Sequence, residues 1–267
     1  VDAAHEAGLG VVAVSATDYQ QVVHDALGTR FAEVVEYGVP DLNDAQIETV
    51  VSVFPELTNL AANARSRDLL RRPVVIDLLV RSGVTGVPLS DADAMRQVWA
   101  GLVRRHELTD RGMPDAREFA LLQLGGFALS GGDALDVAAD LDAEALDGLR
   151  RDGLLRASAD NEWQILPEFA HDEIRRYAVS RVLLVNGDPA GALLAAGAPR
   201  WALPAARLAC QAHLAGADRP HNPLHGRLAR MQAAFDALVD AGHGARWGDV
   251  PAEALLTIGD PAPLLAD

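Results

Sequence analysis

The chain has 267 residues, 49% of them hydrophobic, and carries a formal net charge of −15 with an isoelectric point near 4.8. That length can bury sizeable cores and divides into two or three small domains, and the acidity disfavours non-specific binding to nucleic acid or anionic lipid. All 23 basic residues are arginine, which removes Schiff-base and lysine-base chemistry and excludes the Walker A pattern G-x-x-x-x-G-K-[ST] from this chain.

No apolar run approaches the roughly 18 residues that would span a bilayer, and no secretory signal opens the chain. The chain starts at Val1 without an initiator Met, as a piece of a longer protein does. Its one cysteine, Cys210, excludes an internal disulfide and fits a reducing cytoplasm. The expectation is a cytoplasmic protein with no membrane and no nucleic-acid partner.

In chain order, "GLGVVAVSA" (8–16) predicts one buried strand, a short Val-rich run opened by glycine. "RFAEVVEYGVPDL" is extended or mixed and runs through Pro40. The chain then turns helical. In "DLNDAQIETVVSVF", Asn43 is an N-cap with Gln46 three residues on, and Leu42 and Ile47 are spaced as a hydrophobic staple. "SRDLLRRPVVIDLLVRSG" ends one helix near Arg72 and starts the next at Pro73, where a missing N–H costs nothing. In "LSDADAMRQVWAGLVRR", Ser90 caps a helix whose Met95, Val98, Trp99, Leu102 and Val103 form one apolar stripe.

Between 114 and 190 the rhythm changes. "PDAREFALLQLGGFAL", "GDALDVAAD" and "DAEALDGLRRDGLL" predict three helices. Two strand-like runs, "LLRAS" and "EWQIL", follow around Ala159-Asp160-Asn161. Three helices and a hairpin are the order of a winged helix. Its recognition helix would be "DAEALDGLRRDG", with Asp142, Glu144, Asp147 and Asp152 against Arg150 and Arg151. Beyond Arg156 the wing lacks a basic residue. A helix meant to lie against phosphates has the opposite charge, so this module is expected to pack against protein. "PRWALPAARLACQAHLAG" and "HGRLARMQAAFDALVDAG" close the chain as a helix pair, with Leu228, Met231, Phe235 and Leu238 along one face. No repeat of clean period is present, although the pair could open a helical array.

The stretch "EFAHDEIRRYA" (168–178) is the most informative. Adjacent His171 and Asp172 sit about 100° apart on a helix and cannot both chelate one ion without help. A cap or a phosphate sensor fits them better. Cys210 with His213, His221 and His225 has irregular spacing for zinc. No G-x-S-x-G elbow supports a catalytic triad. Arg150 and Arg151 with Asp147 and Asp152 read as a charged helix end before Gly153.

The order of "VVAVSATDY", "VPDLNDAQIETVVSVFPELTNL", "LLRRPVVIDLLV" and "FAHDEIRRYAVSRVLL" resembles the latter half of STAND-class NTPases, the NACHT and AP-ATPase-like signalling ATPases. The likeness covers nearly the whole chain, and "FAHD" and "RRPVVIDLL" are its most specific segments. It implies a mainly α fold with a remnant of an α/β nucleotide-binding core at 1–38, a helical lid domain at 39–112, a winged helix at 113–190 and the start of a repeat-like helical sensor region at 191–267. "FAHD" looks like the family's Met-His-Asp motif, with Phe169 in the Met position. His171 would then reach the β-phosphate of ADP, and Asp172 would orient the ring or cap the helix. Pro73 would pack on adenine.

The P-loop and the Mg-binding acidic strand would lie upstream, so no cofactor is expected for this chain alone, and ATP or ADP for the complete protein. The family's sensor arginine has no counterpart at Ser15, Ala16 or Thr17, with Arg30 a weak substitute. The implied function is an ADP/ATP-dependent signalling switch in defence or signal transduction. Protein partners would bind the C-terminal helices, and the activated state would self-associate. The regulatory middle of an ATPase-type transcriptional activator and a purely structural helical scaffold remain as alternatives.

Overall fold

A computed structural model describes residues 6–8, 10, 11, 13, 20–31, 33–35, 38, 40–105, 109–156, 165–185, 187–216, 226–259 and 261–265. The described residues are mainly helical, with no sheet strand among them. The chain divides into two compact units, Val1–Pro40 and Asp41–Asp267. In the first, the regular element is α1 (Gln20–Gly28). Most of the strand expected over 8–16 lies outside the described residues, and positions 8, 10, 11 and 13 carry no strand pairing. Ser15, Ala16 and Thr17 are likewise outside them.

The second unit starts with α2 (Asp44–Val53). Its capping box forms as the sequence predicts: Asn43 Oδ1 accepts from Gln46 N at 3.0 Å, and Gln46 Oε1 accepts from Asn43 N at 2.9 Å. Leu42 packs against the core cluster to which fully buried Ile47 belongs. Two short helices follow, α3 (Thr58–Ala62) and α4 (Ala64–Leu69), then α5 (Pro73–Ser82) and α6 (Asp91–Leu102). Arg72 is extended (φ −100°, ψ 110°), as the residue before a proline must be, and Pro73 takes the first helical position. Ser90 Oγ accepts from Asp93 N at 3.1 Å at the head of α6. The apolar stripe of α6 is buried as its spacing requires. α5 and α6 approach so closely that a Cβ on Gly101 would fall 2.2 Å from the Ser82 carbonyl.

The next block holds α7 (Pro114–Ser130), α8 (Ala134–Asp140) and α9 (Ala143–Arg151). Asp133 and Asp142 cap the last two, accepting from Leu135 N at 2.8 Å and Ala145 N at 2.7 Å. The chain then doubles back. Arg156 N donates to Glu168 O at 2.8 Å and Ala170 N to Leu154 O at 2.9 Å, around an antiparallel bridge between Leu155 and Phe169. The pairing among the described residues thus lies at 154–156 and 168–170, whereas residues 162–164 of the expected second arm, 162–166, are outside them. Pro167 separates the apolar "QIL" run from this pairing and has no N–H to give a ladder. The expected turn at Ala159-Asp160-Asn161 is outside the described residues.

The long α10 (Asp172–Val185) joins two hydrophobic cores. Ile174, Tyr177 and Ala178 belong to the first, which also takes in α5, α6, α7 and α9. Val179 and Leu183 belong to the second, shared with α11 (Pro189–Ala195), α12 (Leu203–Leu214), α13 (Arg227–Asp240) and α14 (Arg246–Leu256). A last turn, α15 (Ala262–Leu265), follows. α7 and α10 cross tightly, with a Gly125 Cβ position 3.2 Å from Ala178 Cβ. Met231, Phe235 and Leu238 of α13 are buried and Leu228 partly so.

Candidate functional site at the N-termini of three helices

Arg72 organises the site. Its Nη1 donates to Glu173 Oε1 at 3.1 Å and its Nη2 to Asp91 Oδ2 at 3.3 Å. Arg72 precedes the first residue of α5, Asp91 is the first of α6, and Glu173 is the second of α10. One guanidinium thus gathers the N-termini of three helices, whose unpaired N–H groups and dipoles favour negative charge there. Glu173, 8% exposed, also pairs with Arg176 at 3.3 Å.

The residues singled out in the sequence flank this ion pair. Pro73, next to Arg72, is exposed at the head of α5. His171 is half-buried just before α10, and its carbonyl accepts from Arg175 N at 3.2 Å. Among the described residues its ring has no hydrogen-bond partner. Asp172 is exposed and pairs with Arg175 at 3.0 Å. That pair borders a groove of about 570 Å³ with apolar walls from Leu124, Phe127, Ile165 and Phe169. The other rim charges, Arg156 and Glu168, are paired at 3.0 Å, so the described lining of the groove offers no uncommitted cation. Arg30 falls in the other unit.

Sequence reading missed the larger electrostatic junction at the end of α9. Asp152, 5% exposed, accepts from Arg117 Nη2 at 2.7 Å, from Arg105 Nη1 at 3.0 Å and from Arg111, while its carbonyl accepts from Arg81. Burial alone would raise the Asp152 carboxyl, but the guanidiniums of Arg117 and Arg111 hold it below the ordinary carboxylate range. Burial pulls the Arg117 guanidinium below its ordinary value against the same carboxylate. Arg117, 1% exposed, also donates to the Leu102 and Val103 carbonyls at 2.7 and 2.9 Å, closing the C-terminus of α6. The charged helix end read at 147–152 is thus two things: an exposed Arg151–Asp147 pair and a buried acid. A Cβ on Gly148 would fall 1.8 Å from the Arg111 carbonyl, so this joint admits only glycine.

A second buried acid, Glu118 of α7, accepts from Trp99 Nε1 at 3.2 Å and pairs with Arg104 at 2.5 Å and Arg181 at 2.7 Å. Trp99 and Tyr177 meet edge-on with centroids 5.3 Å apart. These contacts bind α6, α7 and α10 into one body.

Among the described residues no group of His, Cys, Asp and Glu has the arrangement to hold a metal ion. Cys210 is fully buried and burial pushes its thiol up, away from a nucleophilic thiolate. His221 and His225 lie outside the described residues. No helix among them is long and apolar enough to cross a membrane. Compared with family models, with curated proteins and with solved structures, the chain matches none.

Proposed function

We propose that this chain is the regulatory part of a STAND-type signalling ATPase, in which ADP holds lid, winged helix and nucleotide core closed. The observation that carries the reading is the Arg72–Glu173 ion pair, which ties the residue before Pro73 to a residue two places beyond His171. The two segments with the strongest family resemblance, far apart in sequence, are thereby brought to one place. The order of three helices, an antiparallel pairing and α10 supports the winged helix, and α2 to α6 supply the helical lid.

The residues fit a nucleoside diphosphate. Among the described residues the His171 ring has no hydrogen-bond partner, and it stands at a helix N-terminus, a favourable place for an anion. Pro73 is exposed for contact with a base. In this reading His171 donates to a phosphate oxygen, Asp172 and Arg175 fix the first turn of α10, and the C-terminal helices take protein partners. Magnesium would be held by residues upstream of this chain and would neutralise phosphate charge. Exchange of ADP for ATP would release the modules for self-association, as a population shift between closed and open states.

The test is ADP release from the full-length protein. A hydrogen bond to a charged group contributes about 1.5–3 kcal/mol, so His171→Ala should speed release by about ten- to a hundredfold. Unchanged release would remove the reading.

A further inference from the structure

A polar chain, buried at Gln211, Ala92 and Glu173, runs from the C-terminal helices to the head of α10. Thr257, at the end of α14, accepts from Gln211 Nε2 at 2.5 Å. Gln211 of α12 is 1% exposed, and its Oε1 accepts from Ala92 N at 2.9 Å. Ala92 N is one of the first-turn amides of α6 that no intrahelical carbonyl can satisfy. Its neighbour Asp91 accepts from Arg72, and Arg72 donates to Glu173. Helix α6 thus receives its cap from two places: Ser90 from its own chain and Gln211 from a helix of the second core.

We infer that Gln211 is a positioning residue through which the C-terminal helices control the N-terminus of α10. An amide buried to this degree cannot exchange its partners for water, and leaving a buried donor unmade is costly. A displacement of α12 or α14 therefore either drags the first turn of α6 or breaks the Gln211–Ala92 bond. If the bond holds, the Asp91 carboxylate moves with that turn relative to Arg72, which holds Glu173; if it breaks, Ala92 N loses its partner and the turn that carries Asp91 loosens. A ligand that binds the C-terminal helices would be read at His171 along this route. That functional half rests on the nucleotide reading above, whereas the coupling does not.

A second route competes with it, because α12 also packs directly on α10. The two are separated by amide hydrogen exchange on the 267-residue chain without nucleotide. The reporters are Ala92 N–H and Arg175 N–H, which donates to His171 O. Gln211→Leu should speed exchange at both by at least about threefold. Thr257→Val, at an exposed position, should give a smaller change of the same pattern and keeps the test open if Gln211→Leu folds poorly. In an Arg72→Ala background, Ala92 should still respond and Arg175 should not. An equal Arg175 response in both backgrounds assigns the coupling to α10–α12 packing and overturns the proposal, as does an Arg175 amide that ignores both substitutions. Gln211→Leu in the full-length protein should also speed ADP release. If the exchange pattern holds and release does not change, the coupling stands and the nucleotide reading falls.

Discussion

Arg72 and Glu173 stand 101 positions apart in sequence and 3.1 Å apart in space, one at the head of α5 and the other in the first turn of α10. Removing the acid leaves Arg72 with Asp91 alone and leaves Arg176 without Glu173. Arg72 is about one-third exposed, so water takes up part of the loss. Glu173→Ala should cost about 1–3 kcal/mol of stability, and Glu173→Gln about half of that, because an amide oxygen still accepts. Urea denaturation checks this, with the midpoint falling at unchanged slope. No loss in either variant would show that the pair contributes nothing to folding.

The Asp152 junction predicts a pH dependence. A folded-state carboxyl held below its ordinary value contributes stability that is complete above the unfolded pKa, near 3.9, and is lost as pH falls through the lower folded value. Asp152→Asn removes the charge that Arg105, Arg111 and Arg117 share, and should cost roughly 3–5 kcal/mol at neutral pH. The gap between wild type and variant should stay constant from about pH 5 upward and narrow below about pH 4. A constant gap across the acid limb would mean that the carboxylate is not charged more readily in the folded state.

Cys210 should resist alkylation in the native chain at pH 8, because it is fully buried and burial pushes its thiol up. Labelling by a maleimide should follow global unfolding and accelerate with denaturant. Rapid labelling of the native chain would place the thiol at an accessible position instead.

The winged-helix-like block should not bind duplex DNA at physiological salt. α9 exposes Glu144 and Asp147, its cap Asp142 is exposed, and Asp133, Asp136 and Asp140 around α8 add to the same acidic stretch. Arg151 and Arg156 are neutralised by Asp147 and Glu168. Such a surface would meet phosphates with repulsion, not counterion release. Micromolar binding with a steep salt slope in a titration would overturn this.

What was legible in the sequence was local. The Asn43–Gln46 box, the Ser90 cap, the Pro73 start and the α6 stripe are each written within a few residues, where capping and periodicity act. The junctions were not legible, because each depends on residues from several helices. Asp152 reads as one more charge at a helix end until Arg81, Arg105, Arg111 and Arg117 are folded around it. Gln211 reads as a polar residue in an apolar helix, and only its bond to Ala92 shows a cap supplied from outside. Beside His171, Asp172 pairs within its own helix with Arg175, and the pair that reaches across to Arg72 is made by Glu173, one place further on. Helix α14 went unnoticed partly because Pro251 interrupts its pattern.

The positions 171, 172 and 173 separate a latch from a cap by their order of effect. In the 267-residue chain alone, His171→Ala should change stability by less than about 0.5 kcal/mol, because the ring has no hydrogen-bond partner among the described residues. Asp172→Ala removes an exposed pair with Arg175 and a favourable charge at a helix N-terminus, together about 0.5–1 kcal/mol. Glu173→Ala should cost the most. If the proposed nucleotide reading holds, retention in the full-length protein should follow the reverse order between the first two. His171→Ala should release ADP fastest and raise activity without a trigger, and Asp172→Ala should act more mildly by loosening the turn that carries the ring. Both series are read at matched folded fraction, stability from urea midpoints and retention from the ADP off-rate. If release tracks stability across all three substitutions, His171 is part of a structural helix start and the phosphate contact is wrong. If His171→Ala leaves the fold intact and loses the nucleotide, the ring acts on the ligand and not on the helix.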